Sequence, residues 1–195
     1  MKEFERRLGR AREENRPGYL RVKGATLLEH EDEGATRVAI ELLTRVVTEY
    51  DDFIEVPWSH ELLGDAYRRL GDLAASERHL RRCIETADDR RNGTTGATEV
   101  ALAEVLIEQG RVEDAGPVLA AQEPRGLAWN SQIFRYAVAC ARYEDAVGGS
   151  PGPWARKALE VASVKEPQLS RLPDLGVVEP SRPTLREMRR LARRT

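Results

Sequence analysis

One stretch of the chain decides the fold: Pro57 to Glu85, which reads PWSHELLGDAYRRLGDLAASERHLRRCIE. A Leu–Gly step at Leu63-Gly64 is followed three residues later by Tyr67, and a second such step comes at Leu70-Gly71. After it, a leucine stands between two small residues. Small residues let two helices approach closely, and the leucine fills the space between them. The pattern is typical of a helix–turn–helix unit, and its packing residues are Ser76, Leu80 and Cys83.

The spacing that follows Gly71 recurs elsewhere in the chain. In each copy a small residue stands at offset five, a leucine at offset nine and a third packing residue at offset twelve. The four copies begin at Gly34, Gly71, Gly110 and Ser150, which lie 37, 39 and 40 residues apart (71 − 34, 110 − 71, 150 − 110). One unit alone cannot bury its apolar face, so neighbouring units are expected. The packing residues of the other three are Ala39, Leu43 and Val46; Ala115, Leu119 and Gln122; Ala155, Leu159 and Ala162.

The stretch around Leu63-Gly64 and Tyr67 resembles the tetratricopeptide repeat (TPR) family, whose repeat is a helix pair of about 34 residues. Polar, turn-rich insertions at 88–96 and 148–153 explain the longer spacing here. HEAT-like helix pairs, with a period of about 40 residues or more, are the alternative. The resemblance implies an all-α, right-handed α-solenoid of about four helix pairs, at approximately 18–51, 57–86, 96–124 and 128–167.

Two segments of different character flank the predicted array of residues 18–167. Residues 1–17 are predicted to form an N-terminal helix that ends at Pro17-Gly18. Residues 168–195 are predicted to form an extended segment and a basic capping helix, with Thr184 to Glu187 as its capping box. Because the last repeat needs cover for its outer face, we expect an apolar stripe of this helix to dock there: Leu185, Met188, Leu191 and Ala192.

Composition and charge exclude several classes of protein. The chain has 195 residues, 41% hydrophobic and 33% charged, and a formal net charge of −2, which disfavours binding to nucleic acid or anionic lipid. No apolar run approaches the roughly 18 residues of a membrane span, and the charged N-terminus predicts no signal peptide. Cys83 and Cys140 are predicted to be buried free thiols. We expect a cytoplasmic protein, and 27 arginines against 4 lysines indicate a GC-rich bacterial source.

No residue pattern in the chain predicts catalysis. His30, His60 and His79 are separated and share no metal-ligand spacing, so they are expected to be exposed or half-buried helix residues. Gly148 to Pro153 is rich in glycine but lacks the lysine of a phosphate loop. Acidic pairs such as Asp51-Asp52 fall in predicted turns, where they favour helix caps. The sequence therefore predicts a protein that is not an enzyme and that holds no cofactor and no metal.

The TPR resemblance implies that the first helices of successive pairs line a concave groove that holds another protein or a peptide. Aligning each first helix on its Leu–Gly step, or on the equivalent large–small step, gives the candidate partner-binding residues. Their aromatic members either contact a ligand or pack between helices, and the spacing leaves both possibilities open. The candidates are Arg21, Trp58, Glu61, Asp65, Arg68, Glu104, Ile107, Tyr136 and Tyr143; Glu31, Val100 and Cys140 fall on the same faces.

The charges of these candidates favour one class of ligand. In the family's best-known binding mode, Lys, Arg and Asn grip the C-terminal carboxylate of heat-shock chaperones. Only Arg21 could match that clamp here, whereas Asp65 and Glu104 would repel a carboxylate. Chaperone tails are therefore disfavoured, and a basic or mixed-charge peptide is favoured. We expect the carboxylates of Asp65 and Glu104 to point into solvent.

The predicted function is a non-catalytic protein-interaction module, an adaptor or scaffold. One alternative is a nucleic-acid-associated regulator that acts through the Arg-rich C-terminal helix. Residues 181–195 carry +5, six arginines minus Glu187, but the other 180 residues carry −7 and the helix has no recognisable DNA-binding motif. The other alternative is a self-associating scaffold, a homodimer formed through an exposed apolar end.

Overall fold

The computed structural model describes residues 2–30, 32–87, 94–122, 127–171 and 176–194. Within these ranges the chain forms α-helices and one short 3-10 turn, and no β-strand, which confirms the predicted all-α fold of helix pairs. The helices are α1 (Lys2–Arg10), α2 (Arg16–Leu28), α3 (Glu33–Glu49), α4 (Glu55–Arg69), α5 (Leu73–Thr86), α6 (Thr98–Glu108), α7 (Val112–Ala121), α8 (Asn130–Ala146), α9 (Gly152–Ser163) and α10 (Arg182–Leu191).

The chain divides into two compact units, unit 1 (Met1–Thr98) and unit 2 (Glu99–Thr195). Unit 1 contains α1 to α5, and unit 2 contains α7 to α10 with all but the first residue of α6. The repeat boundaries given above stay predictions. None of the described helices combines the length and the apolar composition that a membrane span requires.

Unit 1 consists of the pairs α2/α3 and α4/α5, with α1 packed on the first pair. Leu8 of α1 lies in one core cluster with Leu20, Leu42 and Val46. The pair α4/α5 closes around Gly64, because the hydroxyl of Ser76 donates a hydrogen bond of 2.7 Å to the carbonyl of that glycine. The helices of this pair therefore approach closely at the point that the sequence pattern indicated.

In unit 2, α10 packs against the pair α8/α9. Four alanines of α8 and α9 leave room for two large side chains of α10, Met188 and Leu191, which are both fully buried. Ala192 packs at the edge of the same cluster. The predicted docking of the C-terminal apolar stripe is confirmed for these three residues, whereas its fourth member, Leu185, is half-buried and lies outside this cluster. The alanines are Ala137, Ala141, Ala155 and Ala158.

The residues at offsets five, nine and twelve are core residues, as predicted. Eleven of the twelve are buried, and Leu159 is half-buried against the cluster that holds α10. Leu80 and Cys83 are completely buried. Both cysteines are buried and free, which confirms the prediction of buried thiols.

Aspartates and glycines set the limits of the helices. The carboxylates of Asp32, Asp52 and Asp72 accept backbone N–H bonds at the starts of α3, α4 and α5, from Ala35 at 3.1 Å, Glu55 at 2.7 Å and Ala75 at 2.9 Å. The turns after α4, α6 and α8 each contain a glycine with positive φ, a conformation that favours glycine at the end of a helix. These glycines are Gly71 (φ 79°), Gly110 (φ 77°) and Gly148 (φ 73°).

The predicted limits of the two flanking helices are wrong. Helix α1 ends at Arg10, and Pro17-Gly18 lies in the first turn of α2 instead of ending a helix. A proline at this position costs no hydrogen bond, because the first N–H groups of a helix have no partner within the helix. Likewise Thr184 does not cap α10: the helix begins at Arg182, and Ser181 Oγ accepts the N–H of Thr184 at 3.2 Å. The predicted turn at Asn92-Gly93 and the groove candidate Glu31 lie outside the described residues.

Candidate partner-binding site

Two predicted candidates in unit 1, Arg21 and Trp58, lie against each other. The Arg21 guanidinium of α2 sits over the Trp58 ring of α4, 3.8 Å from its centroid, in the geometry of a cation–π contact. The same guanidinium donates a hydrogen bond to the carboxylate of Glu55, and the Arg21 side chain is only 12% exposed. Its charge is therefore already balanced by Glu55, and the pair joins the first helices α2 and α4.

Glu61 is not a solvent-facing groove residue. It is 3% exposed, and its carboxylate accepts three hydrogen bonds: from the backbone N–H of Thr95 at 2.8 Å, from the Thr95 hydroxyl at 2.6 Å and from the Thr98 hydroxyl at 2.8 Å. Burial raises the pKa of Glu61, and these hydrogen bonds oppose the rise. Glu61 thus fixes the last residues of unit 1 to α4.

Glu104 is likewise buried, so the expectation that it points into solvent is wrong. It is 7% exposed, and one of its carboxylate oxygens accepts two hydrogen bonds from Arg135 of α8, at 3.0 and 2.9 Å. Val100, on the same helix, is fully buried. The remaining candidates of α4 and α6, which are Asp65, Arg68 and Ile107, are half-buried.

The aromatic candidates of unit 2 pack between helices. Tyr136 is buried, meets Trp154 edge to face at 5.5 Å between ring centroids, and donates its hydroxyl to the carbonyl of Leu119 at 3.4 Å. Burial raises the pKa of Tyr136 to about 12. Tyr143 lies against Gly116 of α7, where an added Cβ would come within 2.5 Å of the Tyr143 hydroxyl. Cys140 is buried as well.

The structure also brings together two histidines that the sequence reasoning had treated as separate. His60 of α4 is buried, and its Nδ1 lies 3.0 Å from Nδ1 of His79 on α5, whose ring stacks on Tyr67 at 5.4 Å. The sequence contained a signal for this contact. In an antiparallel helix pair, the residue numbers of two residues that face each other add up to a nearly constant value. The bonded pair Gly64 and Ser76 gives 64 + 76 = 140, and the histidines give 60 + 79 = 139.

The histidine pair borders a cavity of about 410 Å³, whose lining residues are His60, Arg78, His79, Arg81, Arg82 and Glu85. Burial, followed by the charges of His79 and Arg82, lowers the pKa of His60 to about 4. Burial and then the charge of Arg78 lower the pKa of His79. In the described part of the chain no group of three or more His, Cys, Asp or Glu side chains could hold a metal ion. The pair therefore shares a hydrogen bond between two neutral rings.

Sequence reasoning missed a set of exposed apolar side chains in unit 1. Tyr19 and Val22 of α2 are 56% and 52% exposed, and Phe53 and Ile54, just before α4, are 70% and 36% exposed. The two elements are neighbours, since a Cβ added at Gly18 would lie 3.2 Å from a carboxylate oxygen of Glu55. The signal in the sequence was that these apolar residues stand among polar ones. The alignment of the first helices on their Leu–Gly steps did not use this signal. We name these four residues the exposed apolar set.

Comparison with known proteins identifies two repeats. The model of the tetratricopeptide repeat family matches residues 57–82 and residues 96–121. The first segment lies in α4 and α5 and the second in α6 and α7. No curated protein and no solved structure matches the chain.

Proposed function

We propose, on the premise that this chain is a tetratricopeptide repeat protein, that it is a non-catalytic adaptor that binds a peptide segment of another protein on the first-helix surface of unit 1. Tetratricopeptide repeats generally mediate protein–protein interactions and are typically not catalytic. Buried, free Cys83 and Cys140 fit a reducing compartment, so a cytoplasmic location is part of the proposal.

The observation that carries the proposal is the exposed apolar set beside the Arg21–Trp58 contact. Large apolar side chains of α2 and of the two residues just before α4 stay in solvent although the core clusters of unit 1 are close. Apolar and aromatic side chains grouped on one surface are favoured contact residues for a partner. The four residues of the exposed apolar set supply such a group.

The chemistry of the partner follows from the charges around this surface. Arg21 is neutralised by Glu55, and the carboxylates of Glu61 and Glu104 are occupied within the protein. The acidic character on which the preference for a basic peptide rested is therefore reduced. The proposed ligand is a mixed-charge peptide with an apolar or aromatic anchor. Chaperone tails stay disfavoured, because Arg21 and Arg68 are the two cations among the predicted groove candidates of α2 and α4, and Arg21 is already paired with Glu55.

The test is affinity purification of the tagged chain from its host, with proteins identified by mass spectrometry. The variant Tyr19→Ser/Val22→Ser removes half of the exposed apolar set. The matched control, Val147→Ser/Leu169→Ser, removes two apolar side chains that are each 47% exposed in unit 2. A partner that the wild-type chain and the control retain, and that the first variant loses at an unchanged melting temperature, supports the proposal. Equal retention by all three proteins contradicts it.

A further inference from the structure

Helix α10 carries a row of arginines on the face opposite its docking residues. The steps between them are four, three and four residues, which on a helix of 3.6 residues per turn keeps them within about 60° of each other over about 16 Å. The helical turn continues past Leu191, since the N–H of Arg194 bonds to the Leu191 carbonyl at 2.9 Å. We name the outer arginine row by its members, Arg182, Arg186, Arg189 and Arg193.

All four guanidinium groups are exposed, and within the described residues none of them has a hydrogen bond or ion pair. The arginines between α10 and α8, in contrast, form ion pairs. Arg190 donates to Asp145 of α8 at 3.1 Å, Arg194 pairs with the same carboxylate, and Arg142 of α8 donates to Glu187 at 2.8 Å. Together with the burial of Met188 and Leu191, these contacts hold α10 in place. Among the described residues, the outer row takes no part in these contacts.

We propose that the outer arginine row binds an acidic helical segment of another protein. A helix with carboxylates at the same four-three-four spacing presents them in a parallel row, so that each guanidinium can meet one carboxylate. Guanidinium groups suit carboxylates because their planar donors form paired hydrogen bonds. The neighbouring face of α10 already shows this chemistry, in the pairs that Arg190 and Arg194 make with Asp145.

Two features favour an acidic helix over a nucleic acid. The row is a single line of exposed guanidinium groups, because the neighbouring arginines on one side, Arg190 and Arg194, are already paired with Asp145. A single helix, about 10–12 Å in diameter, can contact the row alone. Residues 176–195 also contain no aromatic side chain on which the bases of a single strand could stack.

The experiment uses the full chain and a fluorescein-labelled, alanine-based helical peptide of about 16 residues with four glutamates at the matching spacing. Fluorescence anisotropy gives the affinity of the wild-type chain, of Arg186→Gln/Arg189→Gln and of Arg10→Gln/Arg12→Gln. The last variant is the matched control, because it removes two arginines of unit 1 that are also exposed and without a partner among the described residues. Melting curves confirm that all three proteins are folded.

We expect the first variant to bind the peptide about fivefold or more weakly, since two surface ion pairs are lost. The control should change the affinity less than about twofold, and binding should weaken as salt rises to about 0.15 M, where exposed charges are screened beyond about 8 Å. No binding to the wild type at low salt, or an equal loss in both variants, overturns the inference.

Two other occupants would overturn it as well. Tighter binding of a duplex DNA oligonucleotide, lost in Arg186→Gln/Arg189→Gln, would make the row a phosphate site. Concentration-dependent self-association of the wild type, lost in the same variant, would make the occupant a second copy of the chain. The inference does not use the surface of unit 1, so its failure leaves the proposed adaptor function standing.

Discussion

Leu80 lies directly against Gly64, and no other residue fits at position 64 without displacement. A Cβ added there would lie 2.6 Å from both Cγ and Cδ2 of Leu80, a fully buried side chain. The preceding helix pair repeats the relationship, because a Cβ at Gly24 would lie 2.8 Å from Cγ of Leu43. The glycine of the first helix and the leucine of the second are thus one packing unit in both pairs of unit 1.

This contact predicts that Gly64→Ala destabilises the protein by about 1–3 kcal/mol, the usual cost of overpacking a core. The better helix propensity of alanine, about 1 kcal/mol, offsets part of that cost. Chemical denaturation measures the difference in the free energy of unfolding. Gly9→Ala is the matched control: Gly9 is also helical, but an added Cβ there has nothing within 4 Å, so we expect it to stabilise the protein slightly. Equal effects of the two substitutions would contradict the packing argument.

The sequence predicted the core of the repeats well because small–large–small spacing reports local helix packing. Leu80 was placed correctly on that basis alone, and Met188 and Leu191 of α10 were placed correctly because the last repeat needs an apolar cover. The first pair was harder, since its glycine follows Lys23 rather than leucine. Its turn is also longer: Gly24 to Gly34 spans 10 residues (34 − 24), against 7 from Gly64 to Gly71 (71 − 64).

The candidate site was predicted less well because the environment of a polar side chain depends on elements that are distant in sequence. Glu61 is buried by Thr95 and Thr98, and Glu104 by Arg135, and no spacing rule links these positions. Aligning the first helices on their Leu–Gly steps placed Glu61 and Glu104 on the predicted faces. It could not show that other residues of the protein donate hydrogen bonds to both carboxylates.

The structure now separates two substitutions that the sequence treats alike. Glu104→Lys should destabilise the protein by about 3–5 kcal/mol, because it leaves a buried cation beside Arg135 in place of a paired carboxylate. Asp65→Lys should cost less than about 1 kcal/mol, since Asp65 is only half-buried. Asp65→Lys also removes the negative charge of Asp65, which raises the pKa of Glu61 in addition to the larger effect of burial. Thermal unfolding of both variants checks this, and similar losses would contradict it.

The His60–His79 pair predicts a loss of stability in acid. The folded-state pKa of His60 is lowered from 6.5 to about 4, so its stabilising contribution is present above about pH 6.5 and is lost as the pH falls through about 4. A second proton would also place two N–H donors face to face at 3.0 Å. We expect the wild type to lose about 1–3 kcal/mol of unfolding free energy across this range beyond the loss shown by His60→Leu/His79→Phe.

That double variant keeps an aromatic ring on Tyr67 and removes both titrating groups, while the charges around the cavity, Arg78, Arg81, Arg82 and Glu85, stay in place. Urea unfolding at a series of pH values measures the difference. His30→Gln, at an exposed position, serves as the control and should follow the wild type. Parallel pH curves for the wild type and the double variant would show that the two histidines have the same pKa in the folded and the unfolded protein, and would contradict the prediction.

Removal of α10 should destabilise unit 2 and make it self-associate. Truncation after Pro180 removes Met188 and Leu191, and each fully buried side chain contributes about 1.5–3 kcal/mol. It also exposes the alanine-rich face of α8 and α9 on which these side chains rest, an apolar surface that a second molecule can cover.

Met188→Ala tests the contact without deleting the helix and should cost about 2–5 kcal/mol. Arg186→Gln/Arg189→Gln, which alters only the exposed face of α10, should leave the melting temperature unchanged. Differential scanning calorimetry and light scattering measure both effects. A truncated chain that stays monomeric with an unchanged melting temperature would show that α10 adds nothing to the stability of unit 2.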